Sequence, residues 1–157
     1  MAPAPGARYY HDTMPTVRDI LAKKGSDVIT VAPKETVLHA AELMNERGIG
    51  GLVVAEGARP VGIFTERDIL RRVVAPRRDP AATKVAEVMT TPVTACGPDT
   101  PVEECAAMMT AKRIRHLPVV GERGLAGVIT IGDVLAFQVS EQQATIDYMH
   151  HFMFDLR

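Results

Sequence analysis

Two short stretches carry side chains whose types and spacing could do chemistry: Thr65-Glu66-Arg67-Asp68 and Thr130-Ile131-Gly132-Asp133. Taken singly, a threonine at a helix start with an acid three residues later is a capping box. Its hydroxyl and carboxylate satisfy backbone N–H groups that the first turn leaves unpaired, and no ligand is needed. Two features argue for more than a cap. Each pair follows an apolar strand ending, Gly62-Ile63-Phe64 in one and Gly127-Val128-Ile129 in the other, and glycine there lets a second backbone or a flat ring come close. A helix start also presents unpaired N–H groups and partial positive charge to an anion. Thr65 and Thr130 are then placed to donate to a phosphate. A carboxylate three residues further on is repelled by that phosphate and turns aside to accept from ribose hydroxyls, which makes Asp68 and Asp133 the ribose readers. The same logic places an acid on the ribose in dinucleotide-binding folds.

The elements that must position these pairs occur twice. From 62 to 127 the two motifs lie 65 residues apart, and at the same offset Met44 finds Met109, Ile49 finds Ile114, Leu52 finds Leu117 and Val54 finds Val119. Thr36 and Thr100 are 64 apart, which reads as a single residue inserted early in the second copy's helix. In each copy the periodicity predicts a short β-branched strand (28–31 and 93–95) and then a helix with apolar residues at helical spacing. In the first helix Thr36 is the cap; in the second Thr100 is the cap and Pro101 the first helical residue. Two strands joined by a turn follow (52–55 with 61–64, and 117–120 with 125–129), and a closing helix starts at Glu66 or Ile131. The repeat is β-α-β-β-α, and the class is α+β. A copy of about 50 to 60 residues is marginal alone, so two copies sharing one core as a pseudo-two-fold pair are expected rather than two independent domains. The organisation reads as a flexible lead at 1–14, repeats at 15–75 and 85–139, a linker at 76–84, and a C-terminal helical extension at 140–157.

The repeat resembles the cystathionine β-synthase (CBS) domain, whose tandem pair is called a Bateman module, over Val17 to about Phe137. The residues that carry the resemblance are the two Gly-x-x-Thr-x-x-Asp motifs at 62–68 and 127–133, the run Ile114-Arg115-His116-Leu117-Pro118-Val119-Val120, and the lead-in Val85-Ala86-Glu87-Val88-Met89-Thr90. The resemblance implies a disc-like module that dimerises and binds adenosine compounds between paired repeats: AMP foremost, with ATP, ADP, NAD or S-adenosylmethionine as alternatives. Carried over by position, Thr65 and Thr130 contact phosphate, and Asp68 and Asp133 the ribose. The adenine lies against Ile29 and Thr30 or Val93 and Thr94, and against Gly50, Gly51 and Leu52 or His116, Leu117 and Pro118. The copies are unequal. Arg67 stands beside Asp68 where Gly132 stands beside Asp133, and Lys112, Arg113, Arg115 and His116 answer a stretch holding Gly48, Gly50 and Gly51. Arg67, Arg115 and His116 therefore join the candidate ligand contacts, and two sites of different preference are expected.

Composition narrows the rest. Eighteen basic and nineteen acidic residues give a formal net charge of −1, without the overall excess that announces nucleic-acid binding. The cluster Arg67, Arg71, Arg72, Arg77 and Arg78 reads as a solvated face. No apolar run approaches a membrane span and no signal peptide is evident, so a cytoplasmic, membrane-free protein is expected. Cys96 and Cys105 read as buried thiols rather than a redox or zinc pair. His11, His39, His116, His150 and His151 fall into no nucleophile-base or metal pattern, so neither enzyme activity, a catalytic cofactor nor a metal is expected. After the second repeat, Ile146, Met149 and Met153, with Tyr148 and Phe152, form an apolar stripe that must be covered by the chain's own body or by a second subunit. The expected protein is a regulatory adenosine-nucleotide sensor of energy or metabolite state, a homodimer acting on a partner polypeptide. The rival is a protein- or nucleic-acid-interaction module with no small ligand.

Overall fold

The computed structural model describes residues 14–154. The N-terminal lead up to residue 13, with His11, and the end of the C-terminal tail lie outside them. Chain order is α1 (Val17–Lys24), β1 (Thr30–Val31), α2 (Val37–Arg47), β2 (Gly51–Glu56), β3 (Arg59–Thr65), α3 (Glu66–Asp68) continuing as a π-helical turn (Ile69–Val74), α4 (Val85–Val88), α5 (Val102–Lys112), β4 (His116–Gly121), β5 (Gly124–Thr130) and α6 (Ile131–Phe154). No helix among the described residues is long and apolar enough to cross a membrane.

The two strand pairs match residue for residue at the offset of 65. β2 pairs antiparallel with β3, Gly51 opposite Thr65, with a register shift between Val54 and Ala55. β4 pairs with β5, His116 opposite Thr130, and the shift falls between Val119 and Val120. Helices α2 and α5 also begin at Val37 and Val102, the same offset of 65, so the inserted residue expected early in the second helix is absent. The residue equivalent to Thr36 is Pro101, which serves as the cap residue in extended backbone, and Thr100 does not cap. Its hydroxyl instead accepts from Gly97 N–H at 2.9 Å and closes the turn before the helix. The strand expected at 93–95 is extended chain that touches the sheet through one bridge, Cys96 to Val119.

The copies share their interior by exchanging their leading segments. Val17 N–H donates to Thr100 O, Arg18 N–H to Pro98 O and Val102 N–H to Pro15 O, so α1 docks on the second copy's helix start. Reciprocally, Val37 N–H donates to Thr83 O, Val85 N–H to Glu35 O and Ala86 N–H to Pro33 O. One buried cluster therefore unites Val17 and Ile20 with Cys105, Met109, Leu117 and Ile129; the other unites Val85 and Val88 with Val37, Met44, Val54 and Phe64. Cys96 and Cys105 are buried free thiols in the first of these. Neither copy has a complete core without the other's lead, which is how repeats of this size reach adequate burial.

The glycine of each motif serves this exchange. A Cβ on Gly62 would collide with Met89, and one on Gly127 would stand 2.9 Å from Leu21 Cδ2. The close approach expected there is thus made by side chains of the exchanged leads rather than by a flat ring.

Candidate functional site

Because the leads are exchanged, each Thr-x-x-Asp pair faces the first strand of the other copy. Cleft 1, about 470 Å³, brings Thr65, Arg67 and Asp68 of the first copy together with Val93, Thr94, Arg115 and His116 of the second, and Gly50 also lines it. Cleft 2, about 340 Å³, brings Thr130 together with Ile29, Gly50, Gly51 and Leu52, again with His116. Four residues named from the sequence are not on either wall: Asp133, although its motif partner Thr130 lines cleft 2, is off that wall and engaged by Lys24, and three others lie elsewhere. Thr30 is exposed on β1, while Leu117 and Pro118 are buried in β4, Leu117 in the first core cluster. The run from Arg115 alternates as a strand must, so His116 faces the clefts and its neighbour Leu117 faces the core.

In cleft 1, Asp68 is only 5% exposed. Its Oδ2 accepts from Thr65 N–H at 3.0 Å and from the Thr65 hydroxyl at 3.3 Å, and its Oδ1 accepts from the Thr90 hydroxyl at 3.0 Å. Arg72 Nε lies 3.8 Å from the same Oδ1, while its Nη1 donates to Val88 O and Met89 O. The capping geometry is therefore present. A carboxylate has about four acceptor directions, so three hydrogen bonds leave capacity for a further hydroxyl.

Asp133 is handled differently. Thr130 N–H donates to Asp133 Oδ2 at 2.8 Å, and Asp133 N–H donates back to the Thr130 hydroxyl at 3.1 Å, a reciprocal box. The same Oδ2 receives the Lys24 ammonium at 2.5 Å, and Lys24 also donates to Val128 O at 2.8 Å. In the first copy the position equivalent to Val128 is Ile63, and it is bonded by the backbone of Thr90. Where the exchanged lead reaches the motif it thus supplies a neutral hydroxyl to Asp68 but an ammonium to Asp133.

Basic side chains concentrate on one side. Arg67, Arg71, Arg72, Lys112, Arg113 and Arg115 line cleft 1 against the two carboxylates of Glu66 and Asp68. Arg67, Arg71 and Arg72 are thus not simply a solvated face, although Arg77 and Arg78 lie off the cleft and Arg78 pairs with Glu87 at 2.8 Å. Arg67 donates to Arg113 O at 3.4 Å and Lys112 to the Thr94 hydroxyl at 3.3 Å. Cleft 2 has the single ammonium of Lys24, already committed to Asp133, with Asp27 beside it.

His116 stands on the wall common to both clefts, over Gly51, its counterpart at the repeat offset. An added Cβ on Gly51 would lie 2.9 Å from His116 Nε2. Burial holds its imidazole below the ordinary histidine range, with Lys24 and Arg115 acting in the same direction and Asp133 and Glu66 opposing. Lys24, Thr90, Glu66, Arg71 and Arg72 are the cleft residues that the sequence reading missed; the exchange that brings Lys24 and Thr90 to the motifs has no local signature.

Comparison with known proteins places these features in a family. The CBS domain model matches residues 17–75 and 85–140. The chain is 34% identical over 131 residues to the CBS domain-containing protein YhcV of Bacillus subtilis, covering 83% of this chain and 91% of that one. Among solved structures, a CBS-domain protein from Burkholderia ambifaria is 41% identical with a TM-score of 0.77, covering 82% and 96% of the two chains. The CBS domain pair of protein MJ0100, solved in complex with 5′-methylthioadenosine and S-adenosyl-L-methionine, is 26% identical with a TM-score of 0.71, covering 82% and 99%.

Proposed function

Since the chain belongs to the CBS domain family as a tandem pair, we propose that it is a regulatory module that binds an adenosine nucleotide in cleft 1 and signals its level to a partner protein. The observation that carries this is the convergence, in one cleft, of Thr65 and Asp68 from one copy with Val93, Thr94 and a set of basic side chains from the other. Asp68 supplies spare acceptor capacity for ribose, the hydroxyl of Thr65 and the arginines supply donors for phosphate, and the extended chain at Val93–Thr94 supplies an edge for the base. The adenosine compounds bound by the related MJ0100 pair support the choice of base. A ligand gripping both copies favours module shapes in which they are drawn together, and that population shift is the signal.

A homodimer fits the surface. Leu70 and Val74 on the closing helix of the first copy are 61% and 58% exposed, and their counterparts Leu135 and Val139 on α6 are 54% and 63% exposed. Both copies leave the same helix face bare, and along the rest of α6 Ile146, Met149 and Met153 remain exposed as well. A repeated apolar face of this kind suits an isologous contact with a second copy. Replacing Leu70 and Leu135 together by glutamate should halve the mass seen by light scattering.

The direct test of ligand binding is thermal unfolding of the full chain with adenosine, AMP, ADP, ATP, NAD, S-adenosylmethionine and the matching guanosine compounds. A native-state ligand at 100 times its Kd adds about 2.7 kcal/mol, which raises Tm by roughly 5 to 10 °C for a chain of this size. Selective stabilisation by adenosine compounds is expected. No shift with any of them, together with strong salt-dependent retention of RNA, would favour the interaction-module reading.

A further inference from the structure

Resting on the adenosine reading, we infer that cleft 1 is built for the polyphosphate chain of an adenosine di- or triphosphate, in preference to the monophosphate or an uncharged nucleoside. Six basic side chains line this cleft, and of them only Arg72 has an acidic partner among the described residues, in Asp68. By contrast Arg18, Arg59 and Arg78, elsewhere on the surface, are each paired with a carboxylate within 3.1 Å. Like charges gathered in a concave site repel one another, and the low-dielectric walls strengthen the field they create. That repulsion is relieved by an anion, and most fully by the anion with the most charge.

Placement fits the same conclusion. Arg67 of the first copy reaches Arg113 O of the second, and Lys112 reaches Thr94 within the second copy, so basic side chains of both copies gather on this cleft. Arg71 and Arg115 are exposed, and among the described residues their side chains make no hydrogen bond or ion pair, which leaves both guanidiniums open to phosphate oxygens. Guanidinium groups meet phosphate with paired donors, so each added phosphate finds new partners rather than sharing old ones. A single phosphate carries too little charge to compensate six basic side chains opposed by only two carboxylates.

The test is calorimetric titration of the full chain, with EDTA present so that no divalent cation masks the phosphates, against adenosine, AMP, ADP, ATP and inorganic tripolyphosphate. Affinity should rise about tenfold with each added phosphate on adenosine, tripolyphosphate should bind more weakly than ATP, and the ATP affinity should fall with salt. The variant Arg71→Gln/Arg115→Gln, altered only at exposed positions, should lower ATP affinity at least tenfold and AMP affinity by a smaller factor, so the preference for ATP over AMP falls; an unchanged preference would overturn the inference. Equal affinity for adenosine, AMP and ATP would overturn this inference while leaving the adenosine reading intact. Tripolyphosphate or single-stranded RNA binding as tightly as ATP would overturn it too, since the cations would then be a general polyanion surface. If no adenosine compound binds at all, the reading beneath it fails.

Discussion

The two Thr-x-x-Asp motifs are equivalent at an offset of 65, yet their aspartates are held differently. Asp68 lines a cleft with an excess of positive charge and is bonded by two hydroxyls and a backbone N–H, with the Arg72 guanidinium no nearer than 3.8 Å. Asp133 is off the wall of cleft 2 and bonded directly by the ammonium of Lys24, the one lysine or arginine lining that cleft. Backbone duplication therefore preserves the geometry of a nucleotide site without preserving its electrostatics. What differs is the side chain that each exchanged segment brings to its aspartate, Lys24 in one case and Thr90 in the other.

The comparison can be broken most severely at the aspartates. Asp68→Ala removes a charged acceptor on the cleft wall and should weaken ATP binding by about 10- to 100-fold, whereas Asp133→Ala should leave it within twofold, both read by calorimetry. Gly51→Ala sharpens the comparison at the shared wall, because the new methyl meets the His116 ring in a space its counterpart position fills with histidine. Unfolding in denaturant should show a loss of about 1 to 3 kcal/mol. A smaller effect separates the caps. Thr130→Ala should cost about 1 kcal/mol, the value of a lost helix cap, because its hydroxyl accepts from Asp133 N–H. Thr65→Ala should cost less stability, since its hydroxyl donates to the carboxylate instead, but should reduce nucleotide affinity.

The smallest effect concerns pH. The folded state holds His116 below its ordinary range, so the unfolded chain binds the proton first as acid is added. Its share of stability is fully present above the ordinary histidine pKa of 6.5 and is lost as pH falls below that value. A His116→Gln variant should show a flatter decline in unfolding free energy between neutral and mildly acidic pH. An unchanged profile would mean that other groups dominate.

Much of this architecture was legible in the sequence because a fixed offset carries both pattern and function. Strands β2 to β5 and the start of each closing helix all sit where the repeat requires them. Legibility failed where local rules compete. Thr100 has the right chemistry for a cap, but its hydroxyl is used one turn earlier and Pro101 takes the position. The exchange of leads was hidden because Val17 and Ile20, or Val85 and Val88, announce an apolar face without saying which copy it covers. Lys24 was invisible for the same reason, since its partner Asp133 lies 109 residues away. The arginines were misjudged because Arg71, Arg72, Arg113 and Arg115 approach one another only after the two copies pair.

The most direct test of the inequality between the clefts is the number of nucleotide molecules bound per chain. Titration of the full chain with ATP should give a single strong site, weakened about 10- to 100-fold by Asp68→Ala and retained in Asp133→Ala. Two equal sites, or a single site lost with Asp133→Ala instead, would contradict the account.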